Sequence, residues 1–245
     1  MIIDTNGIVL RTIDYHETSK IVTLLTQKQG KIAVIAKGAK RLKSKFAGLI
    51  ETGNILEVTY FYKPTRSVQT LTQAGFKEKT FHVRYDFEKL AVASASIEMI
   101  YQLLHDGEVN EPMYEFSENF LIWLNQTEQS VRNLFPYIQL RLAELMGIGI
   151  YLDVSSLKNN LSALYLNIDS GSVLGQQTNN PNLRLTPVQA HYLVLALQSR
   201  NSKVLSLNID SGELKNLIRI LDVYMKHHIE GLKDRTSDAI FEQIL

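Results

Sequence analysis

The residues with the clearest chemical potential form one basic segment between two predicted strands. Five cations occur within residues 37–45, and no acidic residue lies among them. Cations at this density neutralise phosphates along a nucleic-acid backbone, and Gly38 with Ala39 allows main-chain N–H groups to approach such a backbone closely. We therefore predict a phosphate-binding site here, formed by Lys37, Lys40, Arg41, Lys43 and Lys45.

Charge is divided unevenly along the chain. The first 80 residues hold 13 Lys+Arg against 6 Asp+Glu, whereas the remaining 165 hold 13 against 19. This asymmetry indicates a polyanionic partner for the first part, although chance surface composition is the other interpretation. Four further cations in this part would extend the basic segment: Arg11, Lys20, Lys28 and Lys31.

Three consecutive aromatic residues offer a possible complement to the cations. Tyr60 and Tyr62 share one face of their predicted strand, and Phe61 lies on the opposite face. Unpaired bases stack on aromatic rings of this kind at single-strand-binding surfaces. The same rings would also suit a barrel core, and both interpretations stay open.

The motifs of common catalytic sites are missing from the sequence. Gly30-Lys31 resembles the end of a phosphate-binding P-loop, but Leu25 and Ile32 occupy the positions that require Gly and Ser or Thr. The adjacent rings of His227-His228 would point about 100° apart on a helix. Cysteine is absent, which removes thiolate sites. We predict a protein that is not an enzyme and requires no cofactor or metal.

Short strands with apolar alternation dominate the first 80 residues. Strands of this length, separated by turn residues, are typical of a small closed barrel, and the OB-fold is the commonest such architecture. The predicted strands are Gly7–Ile13, Lys20–Thr26, Lys31–Lys37, Asn54–Tyr62 and Val68–Gly75.

Beyond about residue 80 the apolar period changes from two to 3.6, which predicts helices. Thr186 is placed as an N-cap, with Pro187 in the first turn and Gln189 completing a capping box. Residues 150–185 are polar around two apolar runs and predict a small β-rich insert. The other predicted helices are Phe87–Leu104, Pro112–Leu124, Leu134–Met146 and Ser211–Ile229.

These patterns predict an α+β protein with two domains. Residues 1–80 form a five-stranded OB-fold barrel, and residues 81–245 form a helical domain with the insert. No run approaches the roughly 18 apolar residues of a membrane helix, and the first residues lack the features of an export signal. We expect a cytoplasmic protein with no membrane partner.

Residues 7–45 combine three features in a fixed order. An acidic residue, Glu17, precedes the second strand; a Thr-Leu-Leu-Thr hairpin leads to Gly30-Lys31; and a Lys-Gly-Ala basic segment ends in Ser44-Lys45. In order and spacing these features closely resemble the opening of the RecO family of DNA recombination and repair proteins. A weaker likeness continues through Arg132–Gly149, and the domain order fits along the chain.

The resemblance implies a mediator of recombinational repair that works at the nucleoid. Such proteins bind single- and double-stranded DNA, anneal complementary strands and remodel single-strand-binding protein. Together with RecR they help to load RecA. In the family, the acidic, Phe-ending tail of single-strand-binding protein docks on the helical part, and the candidate receptor residues are Arg132 and Arg141.

The sequence departs from the family in the insert. Many members carry a four-cysteine zinc site there, whereas Ser155, Lys158, Gly175 and Thr178 stand at the matching positions. A structural zinc requires four strong donors. We therefore predict an insert without zinc.

Two alternatives from other classes remain open. A basic barrel does not by itself distinguish DNA from RNA, so an RNA-binding OB-fold protein is one alternative. An enzyme whose site lies between the barrel and the helices is the other.

Overall fold

The computed structural model describes residues 1–152, 164–175, 181–198 and 202–244. Its contacts divide the chain into two units, Met1–Thr127 and Glu128–Leu245. The first unit contains the strands of the barrel together with the helices up to residue 126. The expected boundary near residue 80 marks where strands give way to helices, and the division into domains 1–80 and 81–245 stays a prediction.

The strands of the first unit close into a barrel in the order β1-β2-β3-β5-β4. β3 pairs with β5 in parallel, and the remaining neighbours are antiparallel. This arrangement confirms the predicted OB-fold, and each observed strand overlaps a predicted one. The strands are β1 Ile2–Tyr15, β2 Ser19–Thr26, β3 Gly30–Ala36, β4 Ile55–Phe61 and β5 Val68–Glu78.

Alternate residues of these strands fill the barrel. Val22 and Leu24 of β2 and Val34 of β3 point inward and are buried, as the two-residue period of a strand requires. The connection between β3 and β4 adds Phe46 and Ile50 to the same core. A segment with many charges is therefore held to the barrel by its own apolar side chains.

Gly30 allows the start of β3 to approach a later segment of the chain. Its φ is +63°, and a Cβ at this position would lie 1.9 Å from the carbonyl oxygen of Glu108. The Gly107 N–H donates a hydrogen bond of 2.8 Å to the Lys31 carbonyl beside it. Only glycine fits this close backbone contact.

Helices follow the barrel in the first unit, as the 3.6-residue period predicts. The Asp86 side chain accepts a hydrogen bond of 3.0 Å from the Lys89 N–H, and Asn110 accepts one of 3.0 Å from the Met113 N–H. These caps satisfy amide groups that have no partner within the first turn. The helices are α1 His82–Tyr85, α2 Phe87–Leu103 and α3 Glu111–Gln126.

The second unit combines helices with a small sheet of strand order β6-β8-β7-β9. β7 and β8 coincide with the two predicted apolar runs, so the β-rich insert is confirmed within the described residues; β6 and β9 were not predicted. The elements are α4 Leu134–Leu145, β6 Tyr151–Leu152, β7 Leu164–Asn167, β8 Ser172–Leu174, β9 Asn182–Leu185, α5 Pro187–Gln198, α6 Ser202–Leu205, α7 Ser211–His228 and α8 Asp238–Phe241.

The predicted capping box at the start of α5 is confirmed. The Thr186 hydroxyl accepts from the Gln189 N–H at 3.3 Å, and the Gln189 side-chain oxygen accepts from the Thr186 N–H at 3.1 Å. Both side chains also bind Glu213, since Thr186 Oγ1 donates to its carboxylate and Gln189 Nε2 to its carbonyl. The box therefore also ties α5 to α7.

A buried ion network fixes the last segment of the second unit. The Arg235 side chain is 4% exposed and donates to both oxygens of Asp222, at 2.5 and 2.7 Å, and to Asp238 at 2.8 Å. Burial disfavours the charge of Arg235, but the hydrogen bonds and charges of the two carboxylates outweigh it and raise the pKa of Arg235. The charged side chain of Arg235 therefore has a structural role within the second unit.

Within the described ranges, no helix combines the length and the apolar character needed to cross a membrane.

Candidate nucleic-acid interface

The basic loop, residues 37–45, is a chain of tight turns that begins where β3 ends. Gly38 has a φ of +73°, and the Arg41 N–H donates to the Gly38 carbonyl at 3.1 Å. The Ser44 N–H then donates to the Arg41 carbonyl at 3.0 Å, and the Lys40 N–H donates to Thr18 in the β1–β2 hairpin at 2.9 Å. The loop is therefore compact and attached to that hairpin.

The segment after the basic loop is anchored to the barrel by polar side chains. The buried Asn54 amide donates to the carbonyls of Gly48 and Leu49 at 3.0 and 2.6 Å. Its oxygen accepts from Arg84 Nη2 at 2.7 Å. Because Thr12 Oγ1 also donates to the Ile50 carbonyl at 2.7 Å, the connection is held at several points, and the loop cations project from a fixed backbone.

Two predicted cations share an acidic partner beside this loop. Lys40 Nζ lies 2.7 Å from Asp14 Oδ2, and Lys20 Nζ lies 4.0 Å from Asp14 Oδ1. The hydrogen bond from Lys40, together with the charges of both lysines, lowers the pKa of Asp14 against the opposing effect of desolvation. The positive charge of this pair of lysines is therefore partly compensated.

Three loop cations have neither an ion pair nor a side-chain hydrogen bond among the described residues. Lys37, Arg41 and Lys43 are exposed, and no carboxylate in the described part of the chain forms an ion pair with them. Lys45 is also exposed and donates to the Thr72 carbonyl at 2.5 Å, which orients the ammonium group without neutralising it. These four cations form the accessible positive charge of the loop.

The structure places two other predicted cations beside α2. Lys31 is 8% exposed; its ammonium group donates to the Tyr101 carbonyl at 3.1 Å and lies 3.4 Å from Asp106. Arg11 is exposed and donates to the Tyr101 hydroxyl at 3.3 Å. Lys31 thus has its charge satisfied within the fold, whereas Arg11 retains an accessible face.

The predicted stacking residues differ in accessibility. Tyr60 is completely buried in the barrel core, and burial raises the pKa of its hydroxyl to about 12. It therefore offers no ring face to a base. Tyr62 is half-buried against the same core, and Phe61 is 44% exposed on the outside of β4.

Sequence reasoning missed an exposed aromatic pair at the β1–β2 hairpin. Tyr15 is 39% exposed, and its ring centroid lies 4.1 Å from that of His16 in an edge-to-face arrangement. The usable signal was the alternation of β1, in which Arg11, Ile13 and Tyr15 share one face. The predicted strand ended at Ile13, so Tyr15 was left outside it.

The barrel also carries a polar cleft of about 640 Å³ on the β1–β4–β5 side. Its lining includes the carboxylates of Asp4 and Glu57 and the single cation Lys28. Two negative charges against one positive charge do not favour a polyanion. The basic loop is therefore the better candidate surface.

The predicted partner-binding arginines both have structural partners in the second unit. Arg132 donates to the Ile209 carbonyl at 3.1 Å and to the Ser211 hydroxyl at 2.8 Å, at the start of α7. Arg141 pairs with Glu144 one turn later on α4. Their role in binding a partner stays a prediction.

Metal-site geometry does not occur in the described ranges: no group of three or more His, Asp or Glu side chains there is placed to hold an ion. His227 Nε2 lies 3.2 Å from Asp169, and His228 Nε2 lies 2.8 Å from the Ile168 carbonyl, so the two rings serve different partners. The insert does not fit a four-thiolate zinc site, because the chain contains no cysteine. Of the four matching positions, Gly175 is described, and Ser155, Lys158 and Thr178 lie outside the described residues.

Comparisons with known proteins agree with this architecture. The family models described as Recombination protein O N terminal and Recombination protein O C terminal match residues 1–79 and 84–238. A DNA repair protein RecO of Salinibacter ruber is 36% identical over 152 residues, which are 62% of this chain and 58% of that protein. Those of Pelodictyon phaeoclathratiforme and Chloroherpeton thalassium are 26% and 28% identical over 100% of this chain and 99% and 100% of their own.

A closed OB-fold barrel followed by helices and a small sheet defines the class of protein. The chain belongs to the RecO family, since its two family models together match most of the sequence. Membership confirms the resemblance found in residues 7–45 and places the chain among proteins of recombinational DNA repair. The roles of individual side chains stay predictions.

Proposed function

We propose that this protein mediates recombinational repair without catalysing a reaction, by binding single- and double-stranded DNA through the basic loop. One observation supports this most strongly. Lys37, Arg41 and Lys43 are exposed, lack acidic partners among the described residues, and project from a loop anchored to the barrel. Cations fixed in this way neutralise phosphates with little loss of side-chain and loop entropy on binding.

Strand annealing follows from the same electrostatics. Two complementary strands repel each other through their phosphates, and a protein that neutralises part of this charge lowers the repulsion while holding the strands close together. Contacts to the backbone leave the bases free to pair. No catalytic group is needed for this step.

The proposed partners are RecR, single-strand-binding protein and, indirectly, RecA, with the protein working at the nucleoid in the cytoplasm. Family membership supports these partners, and the geometry adds a candidate receptor for the acidic tail. A groove of about 320 Å³ is lined by α7 residues that include the cations Lys215, Arg219 and Lys226 and the apolar Ile218 and Val223. This groove places cations next to apolar side chains, whereas Arg132 and Arg141 are engaged by partners within the second unit. Carboxylates also line the groove: Asp234 pairs with Lys226, and Asp234 and Glu242 would have to be tolerated by an acidic peptide.

A tail-peptide titration separates these two receptors. We expect the variant Arg219→Glu to weaken binding of the acidic tail peptide about tenfold. Arg141→Glu should leave the dissociation constant within twofold of the wild type if the groove is the receptor. The opposite pattern would assign the tail to Arg141.

The experiment that tests the proposed function is strand annealing in the presence of single-strand-binding protein. The loop variant replaces Lys37, Arg41 and Lys43 by Ala, and a matched control replaces the exposed Lys79, Arg184 and Lys203 by Ala, which removes the same charge. We expect the loop variant to lose most of the annealing rate and the control to keep it. Equal rates in both variants would contradict the proposal.

Two further measurements on the wild-type protein address the other classes. Competition between DNA and RNA strands of one sequence should favour DNA or show no preference; a strong preference for RNA would support an RNA-binding protein. Incubation of labelled DNA with the protein and Mg²⁺ should leave the DNA intact. Cleavage or turnover would identify an enzyme.

A further inference from the structure

The outer face of β1, β2 and β3 carries a row of apolar side chains that faces solvent. The strand register aligns Ile13 with Ile21 and Ile21 with Ile35, so the three side chains lie next to one another. Ile13 is 42% exposed, and the other two are half-buried. Tyr15 follows two residues after Ile13 on the same face. These four residues are called the open face below.

The open face is the uncovered end of a longer surface. At its other end the aligned residues Ile8 and Leu25 are completely buried, and Lys31 beside them bonds to Tyr101 of α2. The part of this surface that α2 covers ends at Arg11, which donates to the Tyr101 hydroxyl. The residues that fill the inside of the barrel, such as Val22, point the other way, so the open face is not needed for the barrel core. An apolar row left in solvent indicates a binding surface.

The basic loop begins at the end of the barrel where the open face lies, because it follows β3, which carries Ile35. Lys37 is the first residue after β3 and comes two residues after Ile35 in the chain. The loop is also bonded to the hairpin that carries the aromatic pair, because the Lys40 N–H donates to the Thr18 carbonyl at 2.9 Å. The Tyr15 ring is supported edge-to-face by His16. Apolar surface, an aromatic face and phosphate-binding cations therefore meet at one end of the barrel.

We propose that the open face receives unpaired bases of a single strand while Lys37, Arg41 and Lys43 hold its phosphates. This inference rests on the proposed DNA binding and names the form of DNA that the site prefers. Single-strand sites combine a cationic track with surfaces on which base faces pack. In a duplex the base faces are covered by their neighbours, so only an unpaired strand uses both parts of the surface. The adjacent cations favour a polyanion over a protein partner.

Packing on base faces is compatible with annealing. The open face contacts the flat side of a base and provides, in Ile13, Ile21 and Ile35, no hydrogen-bonding group for its pairing edge. A base held there keeps its donors and acceptors available to a complementary strand. The site thus orders an unpaired strand without blocking its pairing.

The test compares two strands with the same phosphates. One is a twelve-nucleotide thymidine strand, and the other is an abasic strand of equal length, so their affinities for the full chain differ only through the bases. We expect the wild type to bind the thymidine strand about tenfold more tightly, the effect of one well-stacked base. The variant Tyr15→Ala with Ile13→Thr should bring the two affinities within about twofold and leave the affinity for the abasic strand unchanged.

Two variants show that the effect belongs to the ring face. Tyr15→Phe keeps an aromatic face and should keep the preference for thymidine. Tyr85→Ala removes a tyrosine that is 90% exposed on α1 and is not part of the open face, so this variant should also keep the preference. Because Ile13 and Tyr15 are both partly exposed, the melting temperature of the double variant should stay within a few degrees of the wild type. The single variant Tyr15→Ala is a second test of the same claim. It should lose at least half of the preference for the thymidine strand.

The outcomes distinguish this inference from the proposed function. A wild type that binds both strands equally, while the loop variant binds neither, overturns the role of the open face and leaves the DNA-binding loop in place. A wild type that binds neither strand overturns the proposed function itself. Retention of the full preference by the double variant contradicts the open face as the base-binding surface and would leave it as a surface for a protein.

Discussion

The basic loop and the Arg235 network use the same kinds of charged side chain with opposite results. Arg235 is buried, it donates four hydrogen bonds to Asp222 and Asp238, and its charge is compensated within the fold. Arg41 in the loop is exposed and has no ion-pair partner in the described part of the chain. A compensated buried cation has its donors used within the fold, whereas an exposed uncompensated cation remains available for a ligand. The difference lies in the surroundings of the guanidinium group, which sequence composition does not specify.

The largest effect is expected from breaking the buried network. The variant Arg235→Ala leaves two carboxylates near a position that was nearly inaccessible, and removal of one partner of a buried ion pair costs about 3–5 kcal/mol. Urea denaturation should show this loss in the free energy of unfolding, while the folded protein keeps its DNA affinity. Arg41→Ala is the matched control, with a change of at most about 0.5 kcal/mol. Equal stability of the two variants would contradict the claim that Arg235 has a structural role that Arg41 lacks.

Lys31 and Lys43 test the same contrast between a compensated and an uncompensated cation within the first unit. Lys31→Met removes the hydrogen bond to the Tyr101 carbonyl and should lower the free energy of unfolding by about 1–2 kcal/mol, with an unchanged salt dependence of DNA binding. Lys43→Ala should leave stability unchanged and reduce the log–log salt slope for single strands by about 0.7, the value of one phosphate contact. Denaturation and salt titration of both variants check that stability changes only in Lys31→Met and that the salt slope changes only in Lys43→Ala. A reduced slope in Lys31→Met would show that its ammonium group reaches DNA.

Tyr60→Phe tests whether this ring belongs to the core alone. Its hydroxyl is buried without a hydrogen-bond partner among the described residues, so its removal should raise stability by up to about 1 kcal/mol and leave DNA affinity unchanged. Because burial raises the pKa of Tyr60 to about 12 from an ordinary value of 10.0, the native state favours the protonated hydroxyl. That contribution is complete below pH 10 and is lost as the pH rises through 12. Denaturation between pH 9 and about 12 should therefore show a shallower loss of stability in the variant, and a loss of DNA affinity would return Tyr60 to a binding role.

The smallest effect is expected from Asp14→Asn. Asp14 partly neutralises Lys40 and Lys20, so its replacement frees positive charge beside the loop. Because exposed ion pairs are weak and screened by salt, the affinity for single strands should rise only about twofold at low salt and converge with the wild type at high salt. Fluorescence anisotropy at two salt concentrations measures this change. A decrease in affinity would mean that Asp14 is needed to position Lys40.

Much of the fold could be predicted from the sequence because its local signals agree with one another. Strand alternation located the barrel strands, and the capping box of Thr186 and Gln189 located the start of α5. The two-residue period established that Tyr60 and Tyr62 share a face, but it does not establish whether that face is inside the barrel. That depends on closure of the sheet, which is a tertiary property.

The candidate site was predictable in composition and only partly in detail. The density of cations in residues 37–45 identified the loop. Tyr101, whose carbonyl binds Lys31, lies 70 residues away in the sequence and is brought close by the packing of α2. The open face was missed because β1 extends to Tyr15, beyond the predicted end at Ile13, and because its members come from three strands whose register was not known.

The salt dependence of single-strand binding tests the central claim most directly. If Lys37, Arg41 and Lys43 each neutralise one phosphate, replacing all three by Ala should reduce the log–log slope by about 2, at about 0.7 per contact, out of about 3.5 for five contacts. The Lys79, Arg184 and Lys203 control should keep the wild-type slope. The account predicts this difference between two variants of identical net charge; equal slopes in both would contradict the assignment of DNA binding to the basic loop.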